Sequence, residues 1–99
     1  MGSGYVGILS FELHFPENHS LKGKRRDLLS TKAQLQRRFG ASVAEVAHHD
    51  VWQRSGLAMA CVARDYREVE RLLDEAERYL HGQQYLLTRA EREVVSLDE

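Results

Sequence analysis

Seven consecutive residues, His48-His49-Asp50-Val51-Trp52-Gln53-Arg54, bring together two imidazoles, a carboxylate, an indole, an amide and a guanidinium. Imidazole and carboxylate in one loop suggest a metal site, because both are ligands for hard and borderline cations. Their adjacency argues against it: neighbours on a strand project to opposite faces, so His48 and His49 do not readily chelate one ion together. Nucleophilic chemistry has no better support. Ser55 lacks a strand–turn–helix setting, and Cys61, the only cysteine, falls within an apolar run where a thiol is inert core. Trp and Arg are enriched at binding hot spots. Asp50, Trp52, Gln53 and Arg54 are therefore read as interface or partner-binding residues, with Arg54 paired with an acid and the exposure of Trp52 left open.

The second concentration of chemistry is charge. Between Ser20 and Phe39 lie Lys22, Lys24, Arg25, Arg26, Lys32, Arg37 and Arg38 against the single acid Asp27, half of the 14 basic residues in a chain of net charge -1. From Asp65 to Glu99 the balance reverses, with ten acids and five arginines. A chain so divided presents a basic face that attracts polyanions whatever its net charge. At the helical period Lys22, Arg26 and Arg37 fall within about 60° of one another. Phosphate contacts to RNA are assigned to Lys22, Lys24, Arg25, Arg26, Arg37 and Arg38, since such contacts need only positive charge along a backbone. The competing expectation is internal pairing of this helix with the acidic one beside it.

No P-loop or dinucleotide fingerprint is present, nor is an aromatic pair on the central strands for stacking bases on a sheet. The sequence therefore implies no cofactor, no metal and no catalytic residue. The chain lacks any run of ~18 apolar residues and any signal-peptide pattern. With one cysteine and no intrachain disulfide, a cytoplasmic protein is expected. Met1-Gly2-Ser3-Gly4 reads as an expression-vector remnant, leaving one domain over 5–97.

These groups must be positioned by a short series of elements. Tyr5, Leu9, Phe11, Leu13 and Phe15 share one face of a first strand that Pro16 ends. Ser20 then caps a helix bearing Leu21, Leu28, Leu29, Leu35 and Phe39, closed by Gly40. A second strand spans 42–49, a hairpin loop 50–56, and a third strand 57–63, apolar on both faces. Asp65 and Glu68 resemble a capping box for a helix with Val69, Leu72, Leu73, Ala76, Tyr79 and Leu80. Gly82 ends it before a strand over 85–95. The order β-α-β-β-α-β predicts a ferredoxin-like α+β sandwich, four antiparallel strands with two helices on one face. The bare face of such a sheet needs a cover, and homodimerisation supplies one.

Leu9 to Leu13, Ser20 to Arg25, Ser42 to Val46 and Asp50 to Arg54 resemble the small bacterial YlxP-like family, a domain of unknown function. Gly23 departs from the Glu or Lys expected at that helix position. The resemblance implies the ferredoxin-like fold, a homodimer, and genes neighbouring those for translation-initiation and ribosome-maturation factors. It supplies no activity. Taken together, the expectation is a non-enzymatic protein bound to RNA or a ribosomal subunit, with neither DNA nor membrane as partner. The alternative is a protein–protein or regulatory module using the basic helix and the Trp52 loop.

Overall fold

Alternating apolar side chains build the sheet, and two helices cover one side of it. The computed structural model describes residues 3–98, so Met1 and Gly2 of the N-terminal stretch lie outside the described residues. The elements run β1 (Tyr5–His14), α1 (Leu21–Phe39), β2 (Ser42–Ala47), β3 (Arg54–Ala63), α2 (Tyr66–His81) and β4 (Leu86–Ser96). The strand order is β2-β3-β1-β4, and every neighbouring pair is antiparallel. This is the ferredoxin-like sandwich that the element order predicts.

Register decides which side chains enter the core. Leu9 lies opposite Met59, Phe11 opposite Leu57 and Gly7 opposite Cys61. These odd-numbered positions face the helices and are buried, together with Leu28, Leu35 and Phe39 of α1 and Val69, Leu73, Ala76 and Leu80 of α2. The helix–sheet approach is tightest at Gly7, where an alanine Cβ would come within 2.5 Å of Val69 Cγ1 and 3.2 Å of Leu73 Cδ1. Both neighbours are themselves packed, so Gly7→Ala is expected to cost about 2 kcal/mol by overpacking. Thermal unfolding of the variant measures it.

Three local expectations are corrected. The third strand begins at Arg54 rather than 57, because the backbone of Arg54, Ser55 and Gly56 pairs with His14, Leu13 and Glu12 of β1. Polar side chains conceal that pairing in the sequence. Leu29 is 66% exposed, since the buried stripe of α1 is Lys24, Leu28, Thr31, Leu35 and Phe39. Asp65 occupies the N-cap position of α2 but makes no side-chain capping bond, and Glu68 turns to Arg71 instead.

The start of α1 forms as expected, with Ser20 Oγ accepting from the Gly23 amide at 3.0 Å. Gly23 has a local reason. A Cβ there would collide with Asn18 Oδ1, whose amide nitrogen donates to the carbonyls of Ser20 (2.7 Å) and Trp52 (2.6 Å). The glycine thus makes room for the side chain that fastens the β2–β3 loop to the helix.

Candidate nucleic-acid interface

Lys24 organises this end of the molecule. It is 1% exposed, and its Nζ donates to the carbonyls of His48 (2.7 Å), His49 (3.1 Å) and Arg54 (3.1 Å). Glu45 Oε2 lies 3.0 Å away and also accepts from Ser55 Oγ at 2.7 Å. The ammonium has three protons for these four acceptors, so it is fully engaged. The expectation that Lys24 contacts phosphate is therefore wrong: its charge serves to hold the loop. His48 adopts a left-handed backbone, φ 62°, an uncommon conformation for a residue with a Cβ. Its carbonyl accepts from both Lys24 and the Val51 amide.

The two histidines part company as their adjacency predicts. His48 Nε2 lies 3.4 Å from Glu12 Oε2, whereas His49 Nδ1 lies 3.3 Å from Glu45 Oε1. Arg54 pairs with Glu12 at 3.2 Å, the acid partner expected for it. That guanidinium, with lesser help from His48, holds the Glu12 carboxyl below its ordinary value. For Glu45, burial pushes the pKa up, but the Ser55 hydroxyl, the Lys24 ammonium and the His49 ring outweigh it, and the net shift is downward from 4.5.

The sign of the pH effect follows. A carboxyl that binds its proton less readily when folded than when unfolded stabilises the fold above the unfolded value. That contribution is lost as pH falls through the folded value. Stability should therefore decline on acidification below roughly pH 5, and Glu45→Gln should flatten this decline while lowering stability at neutral pH. Unfolding temperatures taken across the acid range for both proteins check it.

The remaining bases of α1 are on the surface. Lys22, Arg25, Arg26, Arg37 and Arg38 are exposed. Arg37 and Arg38 share Gln34 as a hydrogen-bond partner, and the Arg38 guanidinium sits 4.9 Å from the Tyr79 ring centroid. The acids of α2 look elsewhere. Glu68 and Glu75 bind Arg71 of the same helix, and Asp74 and Glu77 bind Arg92 of β4. Among the described residues no ion pair joins α1 to α2.

The loop residues divide by role. Gln53 is spent on fastening: its amide donates to the carbonyls of Pro16 (3.3 Å) and Asn18 (3.2 Å), and its own carbonyl accepts from the Phe15 amide at 2.8 Å. Asp50 is exposed. Trp52, whose exposure the sequence leaves open, is 52% exposed. Sequence reasoning missed Glu45, Ser55 and Asn18, which complete the anchoring network.

A cleft of about 490 Å³ lies between the first half of α1 and the 83–85 segment, with Asn18, Gly23, Arg26, Asp27 and Ser30 among its lining residues. At its base Thr31 Oγ1 and Tyr85 Oη are 2.8 Å apart. Burial pushes the Tyr85 phenol up to about 12, so it stays neutral at physiological pH. Cys61 is buried, and desolvation raises its thiol, which suits the inert core role expected of it. No helix of the described residues is long and apolar enough to cross a membrane.

The topology and these side chains define a class: a small ferredoxin-like α+β domain with an exposed basic helix face beside a braced loop. The chain belongs to the family described as "Protein of unknown function (DUF503)", whose model matches residues 6–92. The uncharacterized protein YlxP of Bacillus subtilis (strain 168) is 29% identical over 68 residues, 69% of this chain and 74% of that protein. This agrees with the YlxP-like resemblance of the sequence. Among solved structures, the de novo designed protein Foldit4 aligns with a TM-score of 0.52 at 13% identity, covering 97% of this chain and 98% of that one. A likeness so low in identity speaks to fold alone. SnoaB, a cofactor-independent oxygenase from Streptomyces nogalater, aligns at 0.47 and 17% identity, covering 93% and 90%. Nothing about chemistry passes across that distance.

Proposed function

We propose that this protein is a non-enzymatic, cytoplasmic RNA-binding protein that acts on ribosomal RNA or a maturing ribosomal subunit. One observation carries the reading: among the described residues the exposed bases of α1 form no ion pair with α2, where Glu68 and Glu75 pair with Arg71, and Asp74 and Glu77 with Arg92. Uncompensated positive charge along a helix is suited to a phosphate backbone. Lys22, Arg25, Arg26, Arg37 and Arg38 supply the contacts. The gene neighbourhood that the YlxP-like resemblance implies, beside ribosome-maturation factors, favours a ribosomal RNA. Crosslinking in cells tests the proposal: wild-type protein should recover RNA, and a folded Lys22→Glu/Arg25→Glu/Arg26→Glu variant should not. Absence of crosslinks to wild type would sink it.

The same reading makes the protein a homodimer through the bare sheet face. Val6 and Ile8 of β1, Ala58, Ala60 and Val62 of β3, and Val95 of β4 alternate with the core residues. Val62 is 66% exposed and Val95 39%, and an apolar group of this kind at the centre of a sheet favours a partner surface. Val62→Glu should convert the protein to a monomer in sedimentation velocity. An unchanged sedimentation coefficient would remove this face from the interface.

A further inference from the structure

We propose that Trp52 is a stacking platform for an unpaired nucleobase, so that the RNA taken by this protein is single-stranded at that point. The inference rests on the RNA-binding reading above and goes beyond it, because charge alone does not distinguish single strands from duplex.

The argument begins with the way the loop is held. Exposed loops with few anchors move, and mobile aromatic rings lose entropy when they bind. This loop is braced at both ends and in the middle. Lys24 Nζ binds the carbonyls of His48, His49 and Arg54, and Asn18 binds the carbonyl of Trp52 itself at 2.6 Å. Gln53 reaches back to Pro16 and Asn18. Yet the side chain at the centre of this bracing is a half-exposed indole. A buried lysine, a glycine cleared for Asn18 and a left-handed His48 all fix the backbone that presents it.

The surroundings select the ligand. Asn18 joins the Trp52 backbone directly to Ser20, the N-cap of α1, so the residue is tied to the end of the helix that carries Lys22, Arg25 and Arg26. An aromatic face next to a basic track is the arrangement by which proteins hold single-stranded nucleic acid. The base stacks, the phosphates meet the cations, and no particular sequence is required. The first turn of α1 contains no acid, so the bases at that helix end are not offset within their own turn. A backbone held in place beforehand lowers the ordering cost of binding.

Trp52 is the only tryptophan of the chain, so its fluorescence reports on itself. The probes are a short single-stranded oligouridylate and a duplex RNA of equal length, titrated at low salt into wild type, Trp52→Phe and Trp52→Ala. Both variants are first checked for unfolding temperature. Quenching by the single strand but not the duplex is expected. Affinity for the single strand should fall about tenfold or more in Trp52→Ala and be largely kept in Trp52→Phe. Tight single-strand binding with no quenching and no loss in Trp52→Ala would overturn the stacking role while leaving the basic face intact. Failure of wild type to bind either RNA would overturn both readings. Conversion of a dimer to a monomer by Trp52→Ala in sedimentation velocity would assign the indole to the subunit interface instead.

Discussion

Lys24→Met is expected to lower the unfolding free energy by about 3–5 kcal/mol, the usual cost of removing one partner from a buried ion pair. Methionine keeps the apolar stem of the side chain, so lost packing contributes little. What disappears is the ammonium that satisfies Glu45 and the carbonyls of His48, His49 and Arg54. For a domain of this size each 1 kcal/mol moves Tm by roughly 4–8 °C, so a fall of roughly 12–40 °C is expected. The loss is large against the ~5–15 kcal/mol by which domains are stable.

The source of that cost is separable. If the carboxylate dominates, Lys24→Met in a Glu45→Gln background should cost little, because no buried charge is then stranded. If the three carbonyls dominate, the double variant should be about as unstable as the two single losses combined. The observed geometry favours the second outcome, since three of the four acceptors are backbone groups that Glu45→Gln leaves in place. A double-mutant cycle by chemical denaturation decides between them.

Reversing Lys22, Arg25 and Arg26 to Glu should weaken RNA binding about a hundredfold or more, taking roughly 1 kcal/mol per cation at an anionic surface. The salt dependence is the more specific readout. Each phosphate contact to a single strand contributes about -0.7 to the slope of log affinity against log salt concentration. Removing three contacts should therefore make that slope shallower by about 2. Equal slopes for both proteins would mean that these side chains do not meet phosphates. The unfolding temperature should hold or rise, because like charges at the start of a helix oppose its dipole and acids there do not. A stability loss would mean the stripe has a structural role.

How much of this was legible in the residues themselves differs from element to element. The alternation from Leu9 to Leu13, the Ser20 cap and the spacing of Val69, Leu73, Ala76 and Leu80 were enough for the fold, because burial imposes periods of two and about 3.6. Lys24 was misread by residue type. It stands four before Leu28, seven before Thr31 and eleven before Leu35, the spacing of one helical face, and that spacing placed it inward. Leu29 was misread the other way, as an apolar residue off that stripe. The acceptors of Lys24 come from a loop more than twenty residues distant, and local pattern carries no information on such contacts. The anchoring roles of Asn18 and Gln53 escaped for the same reason. Arg54 to Gly56 looked like loop because their side chains are polar or absent, whereas strand pairing is made by the backbone.

The eleven-residue β4 lies at the edge of the sheet and bonds only to β1. A long edge of open backbone groups invites a strand from another chain, and growth from such edges leads to aggregates. Here Arg89, Glu91, Arg92 and Glu93 occupy the middle of that strand. A neighbouring copy laid against it would have to accommodate Arg89, Glu91 and Glu93, charges of both signs, on the open face and Arg92 on the helix side. Those charges guard the edge against the addition of a strand from another copy.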